Sequence, residues 1–459
     1  MFCLTNTIAQ SDPSLQDLIN KIKDASSLAL LILAALQLGR GVAVKVAEEV
    51  LNERGQGPDE GGVCSTCGQP LESKGLKRRE MMTLLGLVKW RRRVRGCPGK
   101  CTTGQVAPSD AVLGLLPYQR TSLEVQWLSC ALAVFVPFEI AAVLFELLTG
   151  VKVESKSIWS WVQQSGQRAL TQMEGQLAAL TQGELPEEEA LAAATKSLPL
   201  LIGADGVMTP FRPQAGSAKG KTVWREVKVG VLARLGERVT KAGQRVTHLT
   251  QRRLVAVLGD IDALSPCLWL EAVRQGVLSS PQVVWLADGG RGFWRLFEER
   301  FVTAGLIGTL TGILDFYHAT QNLWKGGKAW LDGRTQRARD WFKSARHLLR
   351  QGKSNEVLAD IEAALALEGL PAPAHQTLTN LYHYLDKHRD HIDYAKFKEL
   401  GLPLGSGIVE SACKWLIQQR FKGVGMRWSE DGFNHLLHLR LAWVNGRFDD
   451  LFVLAVPPN

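Results

Sequence analysis

The sequence predicts an α/β domain that carries a helical insertion and follows smaller helical and cysteine-bearing regions. Between residues 195 and 450, short apolar segments that end in aspartate alternate with helix-like segments, a pattern typical of a mixed sheet covered by helices. Helical periodicity interrupts that pattern over residues 320–396. At 459 residues the chain is longer than one compact core usually supports, so several folded units are expected.

The charge balance predicts a polyanionic partner. Lys and Arg number 54 against 45 Asp and Glu, which gives a formal charge of +9. This balance favours nucleic acid, although a ribosomal protein or a protein of anionic membranes would show the same charge. Apolar residues make up 46% of the chain and charged residues 22%, a composition that excludes wholesale disorder.

Residues 1–60 form a predicted N-terminal helical region. Its most apolar stretch, Leu28–Leu36, lacks a small-residue cleavage site and is shorter than the roughly 20 residues that span a bilayer. We therefore expect a buried helix, a cytoplasmic protein and no membrane partner.

Two cysteine pairs define a small module over residues 61–108. Cys64 and Cys67 form the first pair, and 29 residues separate Cys67 from the second pair, Cys97 and Cys101. Each pair can supply two corners of a tetrahedron, so the four thiols are typical of a structural Zn²⁺ ribbon in a reducing compartment. The β-like segment between the pairs carries four cations that are expected to face DNA phosphate or, alternatively, to form a solvated surface: Arg91, Arg92, Arg93 and Arg95.

Residues 109–181 are predicted to hold a helix-turn-helix, with an ordinary helical hairpin as the alternative. The segment Phe138–Gly150 has the length of a first helix and ends at a turn glycine, and Ser155 is expected to cap the next helix. The positions on the second helix that are expected to contact DNA are Lys156, Ser157, Gln163 and Arg168.

Acidic residues follow three apolar strands of the domain predicted over residues 195–450. The segments expected to form the sheet are Leu198–Asp205, Trp224–Leu235, Val246–Leu258, Val283–Ala287 and Gly305–Leu314. Asp205, Asp288 and Asp315 stand at strand ends, where α/β sheets present their chemistry, and Glu410 lies in the first turns of a later helix. Such carboxylates suit two Mg²⁺ ions that clamp a phosphoryl group, whereas any one of them alone fits a solvated strand end or a helix cap.

A basic stretch follows Glu410 directly. It interleaves cations with tryptophan, a combination that suits contact with DNA, although much of its apolar content must belong to the core. The residues expected to contact DNA are Lys414, Arg420, Lys422, Arg427 and Trp428.

The motifs taken together resemble insertion-sequence transposases of the ISKra group over nearly the whole chain. The matching segments are Ala204-Asp-Gly206, Trp285-Leu-Ala-Asp-Gly289, Leu314-Asp-Phe-Tyr-His-Ala319, Pro403-Leu-Gly-Ser-Gly-Ile-Val-Glu-Ser411 and Gly425-Met-Arg-Trp428. The resemblance implies a bacterial DDE enzyme with a ribonuclease H-like fold, acting at the nucleoid. Its double-stranded DNA partners would be the terminal inverted repeats and the target, on which it would self-associate.

The resemblance also implies the roles of individual residues. Asp205, Asp288 and Glu410 would bind two Mg²⁺ ions, and Asp315 and His318 would support the site. His318 could equally be a core histidine. Two other readings remain open: a ribonuclease H-like nuclease without strand transfer, such as a junction resolvase, and a zinc-ribbon and helix-turn-helix regulator that only binds DNA.

Overall fold

The computed structural model describes residues 12–56, 62–99, 101, 105–213, 221–241, 243 and 245–452. These residues form two compact units that divide between Val162 and Gln163. The division falls inside a long helix, within the region predicted over residues 109–181. Each unit is described below by itself.

The first unit combines helices with a small antiparallel sheet. Its elements are α1 (Pro13–Lys23), α2 (Leu28–Gln56), β1 (Glu72–Thr83), β2 (Gly86–Gly96), β3 (Gln105–Val106), α3 (Pro108–Val112), α4 (Leu123–Ala133), α5 (Phe138–Thr149) and the start of α6 (Ser155–Thr181). The basic segment predicted as β-like is a hairpin in which β1 pairs with β2.

The C-terminal half of α2 packs on this hairpin. Val44, Ala47 and Leu51 recur at helical spacing and cover the cluster formed by Met81, Val88 and Trp90. Side chains of α2 also accept hydrogen bonds from strand β2, whose Lys89 and Arg91 N–H groups donate to Glu48 (2.9 Å) and Asn52 (2.8 Å). These contacts cover strand groups that would otherwise be an open edge.

The N-terminal half of α2 differs from the expectation of a short buried helix. The helix has 29 residues, and Leu28 is 73% exposed and Leu33 56% exposed. By length and composition alone it also meets the criteria for a membrane span, and 6% of its most apolar 18-residue stretch is buried. The expectation is wrong for this half because most of its apolar residues are exposed, with Ala34 buried, whereas Val44, Ala47 and Leu51 pack on the hairpin.

The predicted helical pair is present as α5 and α6, joined through Gly150 in the left-handed conformation (φ 68°). The predicted cap is wrong by one residue, because the Ser157 and Ile158 N–H groups donate to the Glu154 carbonyl and Ser155 already lies inside the helix. The second helix is also longer than a recognition helix needs, since it runs to Thr181.

A mixed five-stranded sheet forms the centre of the second unit. After the short helix α7 (Ala193–Lys196), its strands are β4 (Leu200–Phe211), β5 (Val223–Val239), β6 (Arg245–Leu258), β7 (Gln282–Ala287) and β8 (Thr309–Leu314), in the order β6-β5-β4-β7-β8. The first three strands form the predicted antiparallel meander, and β7 and β8 run parallel to β4. The mixed α/β fold and its helical region are therefore confirmed.

Helices cover the sheet and form the predicted insertion. They are α8 (Ile261–Arg274), α9 (Arg291–Leu296), α10 (Phe316–Leu331), α11 (Gln336–Arg350), α12 (Ser354–Leu365), α13 (Ala372–Lys387), α14 (Tyr394–Glu399), α15 (Gly407–Ala412), α16 (Gln419–Phe421) and α17 (Glu430–Val444). Amphipathic spacing joins the insertion to the core: Leu378, Leu381 and Leu385 on α13 are buried in the same cluster as Trp285.

Candidate active site and metal centre

The sheet register brings three of the predicted acids into one row. In the parallel pairs, Ala204 lies opposite Ala287 and Ala287 lies opposite Leu314. The residues that follow, Asp205, Asp288 and Asp315, therefore stand on adjacent strands, where neighbours are roughly 4.8 Å apart.

Asp205 does not end its strand, in contrast to the prediction. β4 continues to Phe211 and still pairs with β5, where Asp205 lies opposite Val229. What ends beside Asp205 is the neighbouring strand β7, whose last residue is Ala287. Asp205 therefore lies beside the C-terminal end of β7, next to Asp288, although its own strand continues.

Glu410 comes to this edge from a helix near the C-terminal end of the second unit. It is an exposed residue of α15, the helix predicted to carry it, and α15 packs on β4. A Cβ atom at Gly203 would lie 2.6 Å from the Val409 side chain, so only glycine at this strand position admits the helix so closely.

The pKa of Asp205 responds to its burial and to the neighbouring charges. Burial is the largest influence that raises its pKa, and the negative charges of Asp288 and Glu410 raise it further. A hydrogen bond from the Gly206 N–H (2.7 Å) and the nearby His318 lower it.

Asp315 occupies a different position from the other acids. It is 1% exposed and caps α10, because one carboxylate oxygen accepts a hydrogen bond from the His318 N–H (2.8 Å). Its other oxygen accepts a hydrogen bond from the Ser406 N–H, in the loop that leads to Glu410. With both oxygens occupied, Asp315 positions the loop before α15 and is poorly placed to bind a metal.

Two aromatic residues that sequence reasoning missed surround Asp288. The Trp294 indole N–H donates to the Asp288 carbonyl (2.7 Å). The ring of Tyr384, from α13 of the insertion, lies where a side chain at Gly289 would be, since a Cβ there would be 2.0 Å from it. Burial raises the pKa of the Tyr384 hydroxyl, and the charges of Asp288 and Asp315 raise it further. The glycine at position 289 was the only sequence signal of a close contact here, and it could not identify Tyr384 as the residue in contact.

The four predicted cysteines of the first unit converge. Their sulfur atoms all lie within 4.8 Å of one another, and within the described residues no other group of potential ligands meets this test. Hydrogen bonding to the Cys67 thiol is the largest influence that raises the pKa of Cys101 to about 12, because the four sulfur atoms are crowded together. Four thiols at this spacing could bind a metal such as zinc.

The basic strand of this module presents its cations to two sides. Arg92 lies on the same side as Val88 and Trp90, and its guanidinium donates to Asp110 (2.7 Å), which Arg79 also contacts (2.6 Å). Arg92 is therefore held in an internal ion pair, contrary to its predicted DNA contact. The period of two along β2 could have shown this.

The remaining arginines of β2 alternate with those inward positions. Arg91 is exposed and Arg93 and Arg95 are half-buried, and Arg95 donates to the Leu71 carbonyl (2.8 Å). These three remain predicted DNA contacts.

The predicted DNA-contacting residues of α6 are also divided between the protein surface and internal contacts. Lys156 and Arg168 are exposed and Ser157 is half-buried. The Gln163 side chain instead forms a hydrogen bond with His435 of α17 (2.8 Å), so it supports packing inside the second unit and is unsuited to the predicted DNA contact.

The C-terminal basic stretch contains two residues that the structure removes from the predicted DNA surface. Arg420 is 2% exposed, with its guanidinium 5.5 Å from the Trp428 ring centre. Trp428 is held at the end of β4: its indole donates to the Phe421 carbonyl (2.9 Å), and its own carbonyl accepts from the Arg212 N–H (2.9 Å). Both are packing residues.

The other cations of this stretch remain accessible. Lys414 and Arg427 are exposed, and Lys422 is half-buried with its ammonium 5.4 Å from the Trp224 ring centre. These three remain predicted DNA contacts.

Comparison with known proteins gives distant similarities. No protein-family model matches the chain. A protein of Streptococcus gallolyticus described as "UPF0236 protein in vanSb 3'region" is 26% identical over 403 residues, which cover 85% of this chain and 78% of that protein. The solved Drosophila P element transposase strand transfer complex is 10% identical and has a TM-score of 0.26, with 74% of this chain and 83% of that chain covered. Superposition at that level carries no structural argument.

Proposed function

We propose that the chain is a DDE-type DNA transposase that cleaves transposon ends and transfers the strands into target DNA. The observation that carries the proposal is the register of β4 and β7 together with the packing of α15 on β4, which brings Asp205, Asp288 and Glu410 to one edge of the sheet. Three carboxylates in one place suit hard divalent cations and phosphoryl transfer. The sequence resemblance to ISKra-group transposases supplies the same three residues.

The strand order also supports a ribonuclease H-like assignment. A three-stranded antiparallel meander whose first strand is central, followed by two strands parallel to it, is the arrangement found here. In such an arrangement Asp205 on β4 and Asp288 after β7 are neighbours, and Glu410 comes from α15, the helix that packs on β4.

The residues fit two Mg²⁺ ions, which would supply the polarisation of the phosphoryl oxygens and an activated water. Asp205 and Asp288 are half-buried, and one oxygen of each accepts a backbone hydrogen bond, from Gly206 and Gly290, while Glu410 is exposed. All three carboxylates therefore remain accessible to ions. Asp315 holds the Ser406 loop, and His318 lies close enough to Asp205 to stabilise its negative charge. The four cysteines would hold a structural Zn²⁺ that maintains the module bearing Arg91, Arg93 and Arg95, without an open position for chemistry.

The test is strand transfer by the full-length protein. Labelled DNA carrying the segments that flank its own coding sequence, a target plasmid and Mg²⁺ are incubated with wild type and with Asp288→Asn. We expect joined product from wild type and a loss of about 1,000-fold or more in the variant, because several kcal/mol of transition-state stabilisation depend on the metals. Asp360→Asn, at an exposed carboxylate of α12, is the matched control and should join DNA as wild type does.

The other outcomes separate the competing functions. Cleavage without joining would replace the proposal with a nuclease. Specific DNA binding that neither needs Mg²⁺ nor leads to cleavage would replace it with a regulator.

A further inference from the structure

One face of α11 carries a row of cations that the proposed site does not use. Arg339, Lys343, Arg346 and Arg350 recur at spacings of four, three and four residues, which places them on one side of the helix. All four are exposed. The row extends about 16 Å at the rise of an α-helix.

No carboxylate neutralises this row. Within the described residues none of the four cations forms an ion pair, and the only acid of the helix, Asp340, accepts a hydrogen bond from Gln336 (2.8 Å). Exposed cations that a fold keeps apart from its acids retain their attraction for a polyanion.

Charge is also segregated within the insertion. Residues 316–350 contain eight Lys and Arg against two Asp, whereas residues 351–396 contain four Lys and Arg against seven Asp and Glu. The positive charge is therefore concentrated on α10 and α11, and is not an even coating of the insertion.

The third cation of the row lies beside a residue that adjoins one of the acids. The Arg346 guanidinium lies 5.8 Å from the ring centre of Phe316, the residue that follows Asp315. The Phe316 N–H donates to the Leu404 carbonyl (2.9 Å), in the segment that leads to Glu410. Arg346 thus contacts the residue after Asp315, which in turn is bonded to the segment that leads to Glu410.

We propose that this cationic row of α11 binds the phosphate backbone of duplex DNA next to the acid cluster. The inference rests on the proposed function and extends it, because it makes the helical insertion a second DNA-holding surface. Lys and Arg on an exposed helix face contact phosphates and carry no base readout, so binding here is independent of sequence. An anionic membrane fits less well, since Ala338, Ala345 and Leu349 of α11 are buried and its other large apolar residues pack against the core (Trp341, Phe342 and Leu348).

The test compares two variants of the full-length protein with the same change in charge. The first replaces Arg339, Lys343, Arg346 and Arg350 with glutamine, and the control replaces the exposed cations Arg337, Lys387, Lys396 and Lys398 with glutamine. Binding to a duplex of about 30 base pairs and of arbitrary sequence is measured by fluorescence anisotropy between 50 and roughly 200 mM salt. Thermal unfolding checks that both variants fold.

We expect the salt dependence of binding to decrease by about 0.9 in the logarithmic slope for each lost phosphate contact, and so by roughly 3.6 in the first variant if all four cations contact phosphate. The control should keep the wild-type slope to within about one contact. An unchanged slope and affinity in the first variant would overturn the inference, as would an equal loss in the control.

Strand transfer by wild type keeps this failure distinct from that of the proposed function. Joined product together with an unchanged slope would remove the second surface and leave the transposase. A reduced slope without any cleavage or joining would leave the DNA surface and remove the transposase.

Discussion

The thiol cluster of the first unit and the acid cluster of the second are both groups of potential metal ligands, but they are assembled differently. The thiols lie within residues 64–101, on two short turns, and their sulfur atoms all come within 4.8 Å of one another. The acids extend from Asp205 to Glu410 and come together only through the register of β4 and β7 and the packing of α15.

The two clusters suit different roles for a bound metal. Four thiols at the corners of a tetrahedron leave no coordination position open, so a bound metal would stabilise the fold. The acids stand on a sheet that has its own large apolar core, and Glu410 is exposed. Metal at the acids would therefore be available to substrate and dispensable for folding.

Breaking the thiol cluster should have the largest effect on structure. Cys64→Ser removes one of four ligands, so we expect the zinc content to fall from about one equivalent to near zero and the cysteine module to unfold, because metal binding free energy is folding free energy in such sites. Metal analysis and proteolysis of the purified protein measure this. Cys267→Ser, outside the cluster, should retain the zinc. Zinc retained in Cys64→Ser would contradict the comparison.

Loosening the acid cluster should reduce activity without unfolding the sheet. Asp315→Asn replaces one acceptor of the buried pair of hydrogen bonds from the His318 and Ser406 N–H groups. We expect strand transfer to fall by about 10–100-fold, as for other residues that orient metal ligands. A rise in the half-saturating Mg²⁺ concentration distinguishes this positioning role from simple destabilisation. Unchanged Mg²⁺ dependence would assign Asp315 to helix capping alone.

The smallest expected effect is a gain in stability when an acid is neutralised. Burial and the charges of Asp288 and Glu410 raise the pKa of Asp205 above its ordinary value of 3.8, so its ionisation destabilises the metal-free fold. The sign follows: the folded protein binds this proton more tightly, so the stabilisation is complete below pH 3.8 and is lost as the pH rises through the higher folded-state pKa.

Asp205→Asn should therefore raise the melting temperature of the metal-free protein at pH 7, and the difference should shrink as the pH falls toward 3.8. Added Mg²⁺ should stabilise wild type and leave the variant unchanged, because only wild type binds the ion tightly. Thermal unfolding across pH, with and without Mg²⁺, measures both. A lower melting temperature of the metal-free variant at pH 7 would show that Asp205 is structural and not held for a metal.

Much of the molecule follows from the sequence by itself. The cysteine spacing determined the thiol cluster, because its ligands are close along the chain. Apolar runs determined the strands, and helical periodicity determined the insertion and the helix of Glu410, because these patterns report which side of an element is buried.

Only the tertiary structure decided which polar residues face inward. Arg92 turned to Asp110, Arg420 to the core beside Trp428, and Gln163 to His435, while the start of α2 remained exposed. It also decided that Asp205 lies within a strand and that Tyr384, 95 residues after Gly289, covers the site. The physical reason is that a local pattern fixes the direction of a side chain relative to its own element. What it meets there depends on elements far along the chain.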